Sequence, residues 1–376
     1  MKFSKFLVVA ALGAVVPVSV ASAGYTITPL QAPAGTTDMY AVGVNNAGQI
    51  VGHIADANGN SHAAMWTASN GAFTALPDLS ATNPISEAYR INNNGQIVGK
   101  ARNDANANHA VLWDTTGAHD IGTLPGGAFS FAQDINDNGV IAGSSGAAHG
   151  QHAFTWTAGG GMVDNGSQNP NSNTALAGWN AINNNGLVAG TSYILFSPFK
   201  ASMGHLGDTM PTQISPAGQF SNGMALAVND AGTIVGWQSA PTGGSPHAAI
   251  FDGHGGFQDL GSFGLSDSWA EDINESGVIV GRAFGDDGNG TFINKAYIYQ
   301  NGQMTDLMTL LDNGTGWTEL FSASAISDNG IIVGAGVYNG EIRGFVLTVP
   351  EPATAGILIL GTTGLLATRR RRSANY

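Results

Sequence analysis

Three charged residues occupy one position of a repeated motif. Arg90, Asp134 and Asp272 each stand two residues before the first polar residue of a nine-residue cassette, where other copies have Gly or Ala. Glycoside hydrolysis usually needs two carboxyl groups facing one another across a cleft. Asp134 and Asp272 could do this work only if the strand that carries them lines a central channel, where they would also meet Arg90. Otherwise they decorate a surface, and no catalytic residue is assigned from the sequence. No Gly-x-Ser-x-Gly, Walker loop, His-Glu-x-x-His or dinucleotide fingerprint occurs.

Histidine recurs as well. His62, His109, His152 and His247 each open a His-Ala-x-x-Trp segment or a close relative of it. Zinc would need such ligands within ~2.1 Å of one ion. Equivalent positions of separate repeats are spread around a body, so each His is expected to make a structural hydrogen bond within its own repeat, and no metal site is assigned. The loop Asp286-Asp287-Gly288-Asn289-Gly290 is the richest in carboxylates. It lacks the longer spacing of a calcium loop and reads as a solvated turn, leaving calcium as the one cofactor left open. The Trp that ends each His-Ala segment is expected to pack between repeats. Trp179, Trp237, Trp269 and Trp317 fall outside that frame and are the candidates for stacking on sugar rings.

The element that must position these residues is the cassette itself, Ile91-Asn92-Asn93-Asn94-Gly95-Gln96-Ile97-Val98-Gly99 in its clearest copy. Its leading Asn recurs as Asn45, Asn92, Asn136, Asn183, Asn229 and Asn274, with Ser327 in a seventh copy, at intervals of 44 to 53 residues. Such a period fits one four-stranded propeller blade or a two-helix repeat. Asn-Asn-Gly, Asp-Asn-Gly and Glu-Ser-Gly between β-branched residues are tight-turn sequences, and 54 Gly in 376 residues argue against helix pairs. The leading Asn is expected to bond the turn backbone through its side chain.

Each unit then supplies a strand on either side of the cassette turn and the His-Ala-x-x-Trp segment as a third strand. A fourth comes from stretches such as Asp120-Ile121-Gly122-Thr123-Leu124, Gln258-Asp259-Leu260-Gly261 and Thr305-Asp306-Leu307. The fold expected is all-β: a seven-bladed β-propeller of four-stranded blades. The last unit has only three strands, so residues 25–30 are expected to pair with the strand at 343–347, closing the ring and covering exposed edges. The fourth unit has no recognisable His-Ala-x-x-Trp, and specialised contacts are expected between Ser192 and Gly223.

Charge narrows the partners. The formal net charge is −13, and six of the 13 basic residues lie at the two ends, leaving 7 basic against 26 acidic residues between them. A body carrying −19 repels a phosphate backbone, so nucleic acid is not an expected partner. The absence of Cys rules out disulfides, thiolate metal sites and a Cys nucleophile.

The two ends read as targeting segments. Residues 1–23 have basic Lys2 and Lys5, an apolar run and the small-residue end Ala21-Ser22-Ala23, which predicts a signal peptide cleaved before Gly24. The repeat domain then covers 24–349. The tail, 350–376, follows Val349 with Pro350-Glu351-Pro352, sixteen uncharged residues, and Arg369, Arg370, Arg371 and Arg372 as a basic membrane stop. Sixteen residues fall short of the ~20 of a comfortable helical span, so the tail is expected to anchor the chain only transiently at the inner membrane.

This three-part tail resembles the PEP-CTERM sorting signal of Gram-negative bacteria. The resemblance implies processing by an exosortase and release toward the cell surface, often in organisms that make exopolysaccharide. The cassette with His-Ala-x-x-Trp and Asp-Leu-Gly resembles the extracellular HAF repeat family over about residues 41–347, which implies secretion and no assigned chemistry. The function expected is that of an exported cell-surface or matrix binding module, with exopolysaccharide or other surface glycans as partners. The alternative is a polysaccharide-active enzyme, a glycoside hydrolase or lyase, using acidic residues on one face.

Overall fold

The computed structural model describes residues 24–348 apart from 170, 219–220, 241–242 and 313. The expected signal peptide and the sorting tail, including Val349, Pro350, Glu351, Pro352 and the four Arg, lie outside the described residues. Among the described residues no helix is long and apolar enough to cross a membrane.

The second unit shows why the sequence folds as it does. Ser86–Ile91 and Ile97–Arg102 pair antiparallel around the cassette turn, followed by Asn108–Asp114 and Gly117–Asp120. In the turn, the Asn92 side-chain oxygen accepts the N–H groups of Asn94 (3.1 Å) and Gln96 (2.9 Å), and Gly95 takes a φ of +80° that suits glycine. The fourth strands end at the Asp of the Asp-Leu or Asp-Ile signature, at Asp120, Asp259 and Asp306, rather than running through it. The Asp instead turns the chain, its carboxylate accepting the N–H of Gly122, Gly261 or Met308.

The fold is an all-β propeller, with a short 3₁₀ turn at Leu307–Leu310 as the one helical element among the described residues. Five sheets have four strands each, and a sixth has eight. The expectation of seven separate four-stranded blades is corrected here. The third and fourth units are joined into one sheet by a parallel bridge between Gln151 and Leu176, which brings the third strand of one unit beside the first strand of the next. The N-terminal strand Thr26–Pro29 pairs antiparallel with Glu341–Thr348, Ile27 opposite Leu347, and completes the last sheet as expected.

The core lies between consecutive units. Val98, Ala110 and Leu112 of the second unit pack with Ala132, Ile135, Ile141 and Phe154 of the third. The same interlock joins the ends of the array, where Met39, Ile50 and Trp66 meet Ala325, Val333 and Val346. Trp66 and Trp113 are fully buried, and their indole N–H groups donate to the carbonyls of Gln31 (2.8 Å) and Pro77 (2.7 Å). These repeated Trp residues are packing residues, as expected.

One irregularity decides where side chains can act. In each first strand the pairing slips by one residue just before the cassette, between Ala88 and Arg90, Ala132 and Asp134, and Ala270 and Asp272, among others. A β-bulge turns two successive side chains off the packed face. Tyr89 with Arg90, and Glu271 with Asp272, are accordingly both only partly buried, between fully buried neighbours.

Candidate binding face

The cassette Asn residues form a ring. Beyond its own turn, each Nδ2 donates to the carbonyl of its counterpart in the next unit. Asn45 reaches Asn92 (3.0 Å), Asn92 reaches Asn136 (3.0 Å), and Asn136 reaches Asn183 (2.9 Å). Asn183, Asn229 and Asn274 continue the series to Asn229, Asn274 and Ser327. Ser327 has no amide for the last step, where the link left is Asn329 donating to Asn46 O (2.9 Å), the bond that Asn94, Asn138 and Asn185 also make to the next unit. The local turn bond was legible in the sequence, but the bond to the next unit was not. These buried amides hold the units in register.

Arg90, Asp134 and Asp272 do meet, lining one central cavity beside that ring. Their oxygens are already in use. Asp134 accepts the N–H groups of Ile135 and, in the next unit, Ile182, both at 2.8 Å. Asp272 does the same with Ile273 (3.0 Å) and Ile326 (2.9 Å). Arg90 donates to the carbonyls of Val42 and Tyr89. The two aspartates therefore clip one unit to the next.

Burial pushes the Asp134 carboxyl up to about 6, with the Arg90 charge pulling the other way, and burial raises Asp272 and Glu271 as well. A folded carboxyl that protonates above its unfolded value of 3.8 binds more protons than the unfolded chain between about pH 4 and 6. Its contribution to stability is therefore greatest at the acid end of that window and falls as pH rises through it. Urea midpoints measured across pH 4–6 should show this slope, and Asp134→Asn should make it shallower. An unchanged slope in the variant would show that Asp134 does not titrate there.

The repeated His residues are structural. His109 Nδ1 lies 2.9 Å from Asp120, His152 2.9 Å from Asp164 and His247 3.0 Å from Asp259 within their own units. His62 stands 3.6 Å from Asp56 and 4.0 Å from Asp78. In the sixth unit Lys295 replaces the His and pairs with Asp306 at 2.7 Å. In the loop 286–290, Asp286 accepts the N–H groups of Gly288 and Gly290, while Asp287 accepts those of Asn289 and Thr291. Among the described residues no three His, Asp or Glu side chains are grouped so as to hold a metal ion.

The positions that differ most between units lie four residues up the first strand from the cassette, where side chains of neighbouring units meet. One cross-strand pair per unit occupies this level. Tyr40 faces His53, Glu87 faces Lys100 and Phe131 faces Ser144. Gly178 faces Thr191, Met224 faces Trp237, Trp269 faces Arg282, and Ser322 faces Ala335. Lys100 is ion-paired with Glu87 at 3.1 Å, and the Tyr89 hydroxyl donates to the same carboxylate. The Trp237 and Trp269 rings stack at 5.8 Å, and the Arg282 guanidinium lies 4.3 Å from the Trp269 ring centre while holding Glu271 at 2.9 Å.

This corrects the reading of the Trp residues outside the frame. Trp179, Trp237 and Trp317 are buried, and only Trp269 is half-exposed. Falling outside a repeat did not expose them, because they fill space beside it. The Trp179 indole donates to the side chain of Asn165, and Trp317 packs edge-on against Phe345.

The fourth unit does have a third strand, Lys200–His205. Lys200 takes the place of the His and donates to the carbonyls of Pro216 (3.1 Å), Gly218 (3.2 Å) and Ser221 (2.7 Å). The second strand, Leu187–Ile194, ends in an apolar tip where Leu195 is exposed and Phe196 fully so.

No family model and no curated protein matches the chain. In three dimensions it is similar to prolyl endopeptidases, with a TM-score of 0.55 and 9% identity over 84% of this chain and 50% of theirs. It is similar too to a puromycin-hydrolyzing peptidase of Mycobacterium tuberculosis, with a TM-score of 0.51 and 11% identity over 84% of this chain and 56% of that one. The chain spans about half the length of these proteins, and the likeness is one of fold.

Proposed function

We propose that this chain is an exported, non-enzymatic glycan-binding propeller of the HAF-repeat kind. On this reading an exosortase processes its PEP-CTERM tail, and it acts at the cell surface or in the matrix on exopolysaccharide. The eight-stranded sheet counts as two blades, since a single parallel bridge joins two complete four-stranded units, and the ring then has seven. The observation that carries the binding reading is the tier of unit-specific cross-strand pairs between neighbouring units of an otherwise repeated frame. A frame repeated seven times holds the ring together, and the tier that differs from unit to unit is what can recognise a ligand.

The enzyme reading has less support. Asp134 and Asp272 are committed to backbone N–H groups, and Glu87 and Glu271 are ion-paired with Lys100 and Arg282. The test is a glycan array run beside a hydrolysis and lyase screen on the full chain. Binding without chain cleavage is expected. Release of reducing or unsaturated ends would establish the enzyme instead, and failure to bind any glycan would remove the function proposed here.

A further inference from the structure

We propose that a cavity shared by the third, fourth and fifth units takes a single neutral pyranose ring of a polysaccharide. This rests on the glycan-binding reading and names the site and the class of sugar. The cavity measures about 270 Å³, just below the ~300 Å³ at which small-molecule sites begin, so it suits one sugar ring.

Gly178 is one of the residues lining the cavity. At that level of the first strand other units carry Tyr40, Glu87, Phe131, Met224, Trp269 or Ser322, whereas the fourth unit has no side chain. A Cβ placed on Gly178 would stand 3.0 Å from the Cβ of Ser144 and 3.7 Å from the Gln151 side-chain nitrogen, so the missing side chain lets these two wall residues come close.

The walls match a polyhydroxylated, uncharged ring. Phe131, Tyr193 and Phe199 supply aromatic surface, with the Tyr193 and Phe199 rings edge to face at 4.5 Å. Phe199 is fixed in place because its N–H donates to Asn222 and its carbonyl accepts from Gly223. The Thr191 hydroxyl is a polar group of the walls without a protein partner. Thr191 is only 8% exposed, lines the cavity, and its Oγ1 has no hydrogen-bond partner. The Asn180 side chain spends its Nδ2 on Ala225 O and leaves its oxygen to accept, while Gln133 offers a second amide.

No charged side chain lines this cavity. Lys100 stands 5.9 Å from the Phe131 ring centre but is paired with Glu87. A uronic acid or sulfated sugar would therefore bury its charge without a counterion, a loss that a neutral sugar avoids.

The test is calorimetric titration of the full chain with neutral oligosaccharides (gluco-, galacto- and manno-oligomers) and with oligouronates. Thr191→Val and Tyr193→Ala are titrated in parallel. Thr191→Val keeps the side-chain shape and removes a hydroxyl that has no partner, so the fold is retained. At least one neutral oligomer should bind, about tenfold more weakly to Thr191→Val, as expected for ~1.4 kcal/mol from one lost hydrogen bond, and more weakly still to Tyr193→Ala. Oligouronates should not compete. Neutral binding untouched by both variants, or oligouronates binding as tightly, would overturn this site while leaving a glycan-binding propeller. Binding of no oligosaccharide would overturn both.

Discussion

Gly99→Ala is expected to lower stability by about 3–5 kcal/mol, at the exceptional end for a single methyl group. A Cβ at Gly99 would lie 2.0 Å from the carbonyl oxygen of Glu87 and 3.0 Å from the Cα of Ala88. Both are backbone atoms of the paired strand, so no rotamer change relieves the contact. The last cassette Gly meets the same obstacle elsewhere, 1.9 Å from Tyr40 O at Gly52 and 2.0 Å from Trp269 O at Gly281. The cassette ends in Gly because the bulged first strand crosses too close for anything larger. Urea denaturation of the variant gives the measurement, and a loss below about 1 kcal/mol would show that the strand yields. Since Glu87 is itself one of the unit-specific residues, a strand that yielded would also disturb its pairing with Lys100.

What the sequence made legible is what every unit must do alike. The cassette turn, its terminal Gly, the His-Ala third strand and the missing strand of the last unit recur or fail to recur at fixed spacing, and each follows from local chemistry. The meeting of Arg90, Asp134 and Asp272 in the channel was legible for the same reason, because they share one register position. Their work was not, since accepting Ile182 and Ile326 N–H groups depends on how neighbouring units dock.

The proposed binding face was hidden because its residues are those that do not repeat. A signal was nevertheless present. The residue after the last cassette Gly reads His53, Lys100, Ser144, Thr191, Trp237, Arg282 and Ala335, a position held in frame whose chemistry changes in every unit. Searching for unmatched aromatics instead led to Trp179 and Trp317, which the core absorbs. The joining of the third and fourth units depends on a single bridge between Gln151 and Leu176, and no periodicity reports it.

Deleting residues 25–30 is expected to have the largest effect on the chain, opening the ring at the last unit. Ile27 is 3% exposed and packs with Trp317, Phe345 and Leu347, while Leu30 is buried where the first and last units meet. Burial of these two side chains alone contributes on the order of 5 kcal/mol. The backbone bonds from Leu30 N to Gly344 O and from Asp312 N to Tyr25 O would go with them. Glu341–Thr348 would then present a free strand edge, which pairs with whatever strand is near. The truncated chain should melt at a lower temperature, elute as oligomers and be cut by protease within its last unit. A synthetic peptide covering residues 24–31 should restore the monomer by adding the missing strand. A truncated chain that stays monomeric with an unchanged melting temperature would show that the first strand merely rests on the ring, and that the interlock of the first and last units closes it unaided.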